Sequence, residues 1–495
     1  MQSVGAAWLM VSLRAGPGYV ALIQTAASLP YFLLALPAGS AGDIFDRRKL
    51  ILYTESWMVG VAVILAVLTI SGAMSPWLLL ALTFALSAGD AFETPTWRAI
   101  LPELVSKDDL AEASALNGIE FNLARAVGPA IAGMVIAAAG VATAFVANVV
   151  SFFGVILVVA RWKRPVRKSA LPAETFLGAS SAAIRYVRYS PGIQTLLLRS
   201  AVLIFFTSSF WALLPMAARE LSKSPIAYGF LLGSFGLGAV LGAMVLQRTR
   251  SKLSTETLLS SATATFAAIV LSLALLRTPA ILCFLMIFGG ASWTAIMSLF
   301  NIMVQELAPD WVRARVLAVY LFVFQGSVTV GSVMWGFVAL RTGVHVTLAA
   351  ASIGTAACLL LQPWFRLPDT KLDLSIWNHW AKPTMIEEPD PDQGPVLVTV
   401  KYVIDPAKAP EFLHQVHKYE RVRRRDGAIS WGVFVDTEAP NTYLESFKVD
   451  SWAEHERQHN RFTQADSEVE KQVLRYAIKP VEVRHYIYAR EEPRS

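Results

Sequence analysis

Charge is scarce in this chain. Asp, Glu, Lys and Arg make up 16% of its 495 residues, against 55% hydrophobic ones, where an ordinary water-soluble domain carries roughly 25% charge. So little polar surface excludes one large soluble globule and suits a chain solvated by lipid. Cysteine is nearly missing as well. Cys283 and Cys358 both fall inside apolar runs, which rules out a disulfide framework or a zinc cluster and leaves them as packing residues. What charge there is lies unevenly: from about Pro368 the text turns polar, and most of the seven His lie beyond that point. Two compositions imply two kinds of domain. The net charge of +6 does not point to nucleic acid, because the basic residues cluster in loops between apolar runs, as membrane proteins place them.

A helix needs about 20 apolar residues to cross a hydrocarbon core. Such runs fall at Gly18 to Ala38, Leu50 to Ile70, Pro76 to Thr94, Leu116 to Val141, Ala142 to Ala160, Thr195 to Ala218, Pro225 to Leu246, Leu258 to Leu276, Pro279 to Val304, Val316 to Leu340 and Val344 to Phe365. Met1 to Leu13 is apolar but too short to cross. An offset of 203 residues relates the first part of the chain to the second, pairing Trp8 with Trp211, Gly39 with Gly242, Arg47 with Arg250, Glu103 with Glu306, Gly128 with Gly331, Gly133 with Gly336 and Gly140 with Gly343. One register serving loops and a glycine ladder together is the mark of a parallel repeat. The expected fold is therefore an all-α membrane bundle of twelve helices, a six-plus-six pseudo-repeat whose first helix is truncated, followed by a small α+β domain. The expected boundaries are 1–160 for the first half, 161–194 for a linker with an amphipathic helix around Phe176 to Tyr189, 195–366 for the second half, 367–395 for a Pro- and Asp-rich tether and 396–490 for the soluble domain.

Loops on one side carry Arg47, Arg48, Lys49, Arg161, Lys163, Arg164, Arg167, Lys168, Arg248, Arg250 and Lys252 among others, whereas the opposite loops hold only Arg14, Arg219, Lys223, Arg277 and Arg341. Basic loops stay inside. Both termini are then expected in the cytoplasm of a multi-pass protein of the bacterial inner membrane.

The loop Gly39-Ser-Ala-Gly42-Asp43-Ile-Phe-Asp46-Arg47-Arg48-Lys49 resembles the signature loop of the major facilitator superfamily, with Ile44 and Asp46 departing from its usual arginine and glycine. The resemblance implies a conformational latch at Gly39, Asp43, Asp46, Arg47 and Arg48. Gly128-Pro129-Ala-Ile-Ala-Gly133 resembles the core of the motif that marks proton-coupled exporters in that superfamily, and a Gly-Pro pair also bends a helix. The wider stretch from Ala91 to Gly133 is similar to the enterobactin-exporter-like branch, whose members are known as transmembrane secretion effectors.

Glu55, Asp90, Glu93, Glu120 and Arg125 stand within apolar spans, where ionisable residues are functional by default unless paired. Their equivalents at +203 are Leu258, Trp293, Ile296, Val323 and Val328, so the charges are not needed to build a six-helix half. A charge-bearing first half facing an apolar second half suits an amphipathic organic cargo moved against protons. Asp90 and Glu93 share a helix face, with Asp90 about 14 residues, or ~21 Å, into its span. One of them is expected to be the coupling carboxylate, with Arg125 as its partner or as the anchor for an anionic cargo. Asn122, Glu120 and Glu55 join the candidate set, the two glutamates ranked lower because they lie nearer the membrane surface.

Beyond the tether, Val396 to Ile404 reads as a strand, Pro406 to Arg425 as a helix, Ala428 to Val435 and Tyr443 to Val449 as strands, Ser451 to Leu474 as one helix and Val481 to Ala489 as a last strand. This βαββαβ order is ferredoxin-like. Glu445-Ser-Phe447 and the run from Ser451 to Thr463 resemble the antibiotic-biosynthesis-monooxygenase-like dimeric α/β barrel, which implies a homodimer through this domain or a cofactor-independent oxygenase. Trp452, His455 and His459 are its pocket candidates. The i, i+4 His pair lacks the Glu of HExxH and a third ligand, so no metal and no cofactor are expected. The favoured function is export of a small organic molecule in exchange for protons. The alternative is a membrane-tethered oxygenase or cargo-modifying enzyme.

Overall fold

A computed structural model of the chain describes residues 1–44, 46–105, 109–162, 176–222, 224–367, 373–377 and 389–489. Its contacts divide it into two compact units. The first comprises Met1–Pro172, Leu197–Asn301 and Tyr320–Leu367, the second Ala173–Leu196, Ile302–Val319 and Pro368–Ser495.

The first unit is helical. Its elements are α1 (Gln2–Ser12), α2 (Gly16–Ile44), α3 (Arg47–Ile70), α4 (Pro76–Leu104), α5 (Leu110–Ala139) and α6 (Val141–Arg161), then most of α8 (Pro191–Leu221), α9 (Pro225–Thr249), α10 (Thr255–Leu275), most of α11 (Pro279–Leu307) and of α12 (Asp310–Thr342), and α13 (Val344–Ala357). α4 and α9 begin alike. Ser75 and Ser224 accept a backbone N–H from Leu78 and Ile226, and a proline follows at the first helical position, where its missing N–H costs nothing. Gly140 and Gly343, 203 residues apart, take nearly the same left-handed conformation, φ +83° and +84°, between α5 and α6 and between α12 and α13. A side chain is strained there, which is why both turns use glycine.

Among the described residues eight helices are long and apolar enough to cross a membrane: α3, α6, α8, α9, α10, α11, α12 and α13 with its 3₁₀ extension to Leu361. Their outward faces are apolar. Val67 and Ile70 on α3 and Val150, Leu157 and Val158 on α6 are all more than half exposed, an arrangement that water penalises and lipid tails accept. Inside, Met10, Leu65, Leu79 and Phe145 join α1, α3, α4 and α6 in one core.

The second unit holds α7 (Phe176–Arg188) and a four-stranded antiparallel sheet of order β2-β3-β1-β4, with β1 at Val396–Val403, β2 at Ser430–Val435, β3 at Thr442–Val449 and β4 at Glu482–Ile487. α14 (Ala409–Asp426) lays Phe412, Val416 and Tyr419 on Val400, Tyr402 and Tyr443. The expected single helix from Ser451 to Leu474 is two, α15 (Trp452–Arg461) and α16 (Gln464–Leu474). Phe462 turns to an extended conformation, and Thr463 and Asp466 exchange side-chain-to-backbone hydrogen bonds as a capping box that starts a new helix. The tether is also held in part, since Ser375 and Asp373 carbonyls accept from Gln464 and Ala465 N–H, and Gln393 from Trp452.

Candidate functional site

The buried carboxyls gather where α2, α3 and α4 meet. Glu55 on α3 and Glu93 on α4 are 2% and 6% exposed, and their side chains lie in hydrogen-bond contact with each other. Trp97, one turn along α4, donates Nε1–H to Glu93 Oε1 at 2.6 Å. Among the described residues no donor group reaches the buried Oε2 atoms of either glutamate. Two carboxyls hydrogen-bond only while one of them carries a proton. Asp90 stands one turn from Glu93, takes the hydroxyl of Tyr31 from α2, and accepts from Thr94 Oγ1 at 3.4 Å.

Glu55 is buried beside Glu93, because its face of α3 turns onto α4, which counting residues from the helix end cannot reveal. Tyr31 was not foreseen; it is a lone hydroxyl in an apolar run, without a charge to mark it. The side chains of Glu120, Asn122 and Arg125 lie outside the described residues, as does the side chain of Asp43, and Gly39 lies within α2. Asp46 caps α3 by accepting from Lys49 N–H at 3.0 Å, and Arg48 holds the end of α6 by donating to the carbonyls of Val159 and Ala160 at 3.1 and 2.6 Å. The residues 203 positions on from Glu55, Asp90 and Glu93 are the apolar Leu258, Trp293 and Ile296. Trp293 packs on Trp211 at 5.6 Å and Phe266 at 5.4 Å, and Ile296 is fully buried.

Gly133 of the Gly-Pro motif is a contact point between helices. A Cβ placed there would lie 2.8 Å from the Cα of Gly229 on α9, and one on Gly229 would lie 2.9 Å from the Cα of Gly133. At Gly336, 203 residues on, an added Cβ would lie 2.5 Å from the Cβ of Ala21 on α2. Ser28 and Thr329 hydroxyls, 2.8 Å apart, and the stacked rings of Phe32 and Phe322, 4.3 Å apart, continue the α2–α12 contact.

In the α+β domain the three expected residues do come together, joined by His485 from β4. Trp452 and His455 are each 4% exposed, with ring centroids 5.2 Å apart. His455 lies 4.7 Å from His485 and 4.8 Å from His459, centroid to centroid, and its Nε2 is 3.3 Å from that of His459. His455 therefore points into the domain. Period-two alternation of Val483, His485 and Ile487 on β4 was the available signal for the third histidine. Among the described residues no three ligating side chains are arranged to hold a metal ion.

Burial, then the neighbouring His459 and His485, pushes the His455 imidazole down to about 3. Its value in the unfolded chain is higher, ~6.5, so the stability it contributes is present above pH ~6.5 and drains away as the pH falls toward 3, about 2 kcal/mol by pH 5. Asp426, raised to about 6 by burial with Arg425 opposing, works in the other direction, so the histidine is read by difference. The stability gap between wild type and His455→Gln, followed as hydrogen exchange of β1 in the full-length protein, should narrow by about 2 kcal/mol between pH 7.5 and 5. A gap independent of pH would contradict the assignment.

A helical bundle with apolar outward faces and buried carboxyls inside it is the build of a polytopic membrane transporter. The family model for transmembrane secretion effectors matches residues 1–493, and the chain belongs to that family of the major facilitator superfamily. It is 24% identical over 382 residues to the staphyloferrin A transporter of Staphylococcus aureus, covering 76% of this chain and 94% of that one. It is also 24% identical over 369 residues to the multidrug efflux pump Tap of Mycolicibacterium fortuitum, covering 70% and 87%. Macrolide efflux protein A of Enterococcus faecalis is 23% identical over 227 residues, 44% of this chain and 68% of that protein. Among solved structures, the nucleoside transporter NupG superposes with a TM-score of 0.63 at 11% identity, over 74% of this chain and 94% of that one. A bacterial homologue of the human lysosomal transporter Spinster, inward-facing and occupied, gives 0.56 at 14%, over 74% and 94%. The chain is accordingly an integral membrane transporter of the efflux type.

Proposed function

We propose that this protein exports a small amphipathic organic molecule, of the siderophore, drug or secondary-metabolite class, across the bacterial plasma membrane by alternating access, in exchange for protons. The observation that carries the reading is the buried Glu55–Glu93 contact. It holds one proton between two helices, and a relative movement of α3 and α4 that parts the carboxyls lets that proton go. Asp90 with Tyr31 is a second site of the same chemistry one turn away. The cargo class follows from the relatives, whose names speak of a siderophore, of macrolides and of multiple drugs, and from the aromatic cluster of Trp211, Phe266 and Trp293 opposite the carboxyls in the repeat.

The same reading has twelve spans in two parallel six-helix halves, both termini in the cytoplasm, and a tail whose element order and sheet order are those of a ferredoxin-like domain. It keeps the enterobactin-exporter-like branch and a homodimer through the tail as parts of the proposal. No observation favours an oxygenase in the tail, where the three pocket candidates close on one another.

Inverted membrane vesicles test it. With an acidic lumen they should accumulate a fluorescent amphipathic cation such as ethidium and release it on adding a protonophore. Glu93→Gln and Glu55→Gln should each reduce the accumulation to background, since an amide cannot hand over the shared proton. Full pH-driven accumulation in both Asp90→Asn and Glu93→Gln would sink proton coupling through this cluster.

A further inference from the structure

The second compact unit is not the tail alone. It takes in α7, which lies on the connection between α6 and α8, and residues 302–319 around the turn from α11 to α12. The contacts that join these pieces are ionic and aromatic, and several are buried. Arg185 of α7 donates Nη2–H to Glu454 Oε1 of α15 at 2.9 Å and reaches the carbonyl of Arg425 with Nε at 3.4 Å. Glu454 also accepts both terminal nitrogens of Arg461, at 2.6 and 3.2 Å. Burial alone would raise the Glu454 carboxyl, yet Arg461 and Arg185 outweigh it and hold it below its ordinary value.

The guanidinium of Arg461 lies 4.7 Å over the ring of Trp311 in the first turn of α12. Trp311 in turn meets Tyr186 of α7 edge-on at 5.8 Å. Tyr186, 3% exposed, donates its hydroxyl to the carbonyl of Leu307 at the end of α11, 2.9 Å away. Arg425 caps the other side, 5.5 Å over the Tyr186 ring, and is itself fixed by Asp426 and Asp466 at 2.9 and 2.6 Å. Arginine over an aromatic face and forked onto a carboxylate uses both binding modes that a guanidinium has, and desolvation strengthens each.

We infer that the α+β domain is a clamp: it fixes the connecting helix α7 to the α11–α12 turn, and by doing so biases which conformation the helical bundle adopts. α8, α11 and α12 each run unbroken from the clamped unit into the bundle, so restraining their ends restrains their tilt. Rigid-body motion of one half of an alternating-access transporter has to carry these helix ends along or break the junction. Two segments far apart in sequence are held by one folded domain, and the energy of that holding is available to one transport state over the other. The bundle contacts present in the clamped chain are those of α5 with α9 and α2 with α12, so this is the state the clamp favours.

The inference rests on the alternating-access reading, and its test needs neither cargo nor a proton gradient, so its failure is distinct from a failure of proton coupling. In full-length protein carrying Cys283→Ser and Cys358→Ser, the pair Ser28→Cys and Thr329→Cys reports the α2–α12 contact by its rate of oxidative cross-linking. Arg185→Ala from one side of the junction and Trp311→Ala from the other are added separately, and hydrogen exchange is followed over 182–188. Both variants should lose protection there and cross-link about fivefold or more slowly, with Arg185→Lys intermediate. Lost protection with an unchanged cross-linking rate would make the domain a passenger and overturn the inference. So would unchanged protection, with or without a change in rate, because the junction would then not be what holds α7.

Discussion

Arg423→Ala should unfold the α+β domain while leaving the helical bundle in the membrane. Glu445, in the middle of β3, has no exposed surface, and the cation that balances it is Arg423, whose Nε donates to Glu445 Oε1 at 3.1 Å. The guanidinium is sandwiched between the rings of Tyr419 and Phe447, 4.5 and 4.6 Å away. Without it the carboxylate keeps the Tyr402 hydroxyl at 2.8 Å and the Trp431 indole N–H at 2.9 Å, two neutral donors against a full buried charge. Breaking one side of such a pair costs about 3–5 kcal/mol, a large share of the ~5–15 kcal/mol that holds a small domain together. Limited proteolysis of full-length protein in membranes should release fragments of the region after Val396 at a temperature where wild type is resistant. Arg423→Met with Glu445→Leu, which removes both charges, should recover much of that resistance. Cleavage of Arg423→Ala at the wild-type rate would show that the pair contributes nothing to stability.

Gly133→Val should bring transport close to background, whereas Gly128→Ala, five residues earlier in the same motif, should leave it within about twofold of wild type. The difference lies in what an added carbon meets. At Gly133 it meets backbone, the Cα of Gly229 at 2.8 Å and the carbonyl of Pro225 at 3.1 Å, neither of which can swing away; at Gly128 nothing stands within 4 Å. Helices approach this closely in lipid only through small residues, and the attraction between them is packing itself. A branched side chain must part α5 from α9 and remove the conformation in which they touch. Vesicle accumulation of the reporter cation, normalised to the amount of protein inserted, reads both variants. Equal losses in the two would return the motif to simple helix bending at Pro129.

The contrast between those two glycines shows how far the text of the chain could be read. Turns were legible because they depend on residue type alone: Gly140 and Gly343 stand 203 residues apart in the text and adopt the same left-handed turn. The strands of the α+β domain were legible for the same reason, their alternation placing Val396, Val398 and Val400 on the covered face. Pairings were less so. A helix wheel says that Asp90 and Glu93 share a face, but not that Glu55 on another helix meets Glu93, nor that Tyr31 supplies a hydroxyl to Asp90. Arg423 and Arg425 stand at a helix end suited to their charge, yet their side chains are only 11% and 14% exposed and each answers to a carboxylate brought from elsewhere in the chain. The break at Phe462 was in principle readable, since Thr463-Gln-Ala-Asp466 is a capping-box pattern, but the polar run on either side of it continues the helical period and hides the start of α16.

The junction of the second unit bears on how such a tail could be moved to another transporter. Its contacts draw on 173–196, 302–319 and 368–495 together, so the smallest working graft is three stretches of chain spread over more than half the gene. A swap made at the tether alone would deliver a folded domain with nothing to grip. In the acceptor it would need Arg at the position of Arg185, Tyr at that of Tyr186 and Trp at that of Trp311 before the appended domain could influence the host at all.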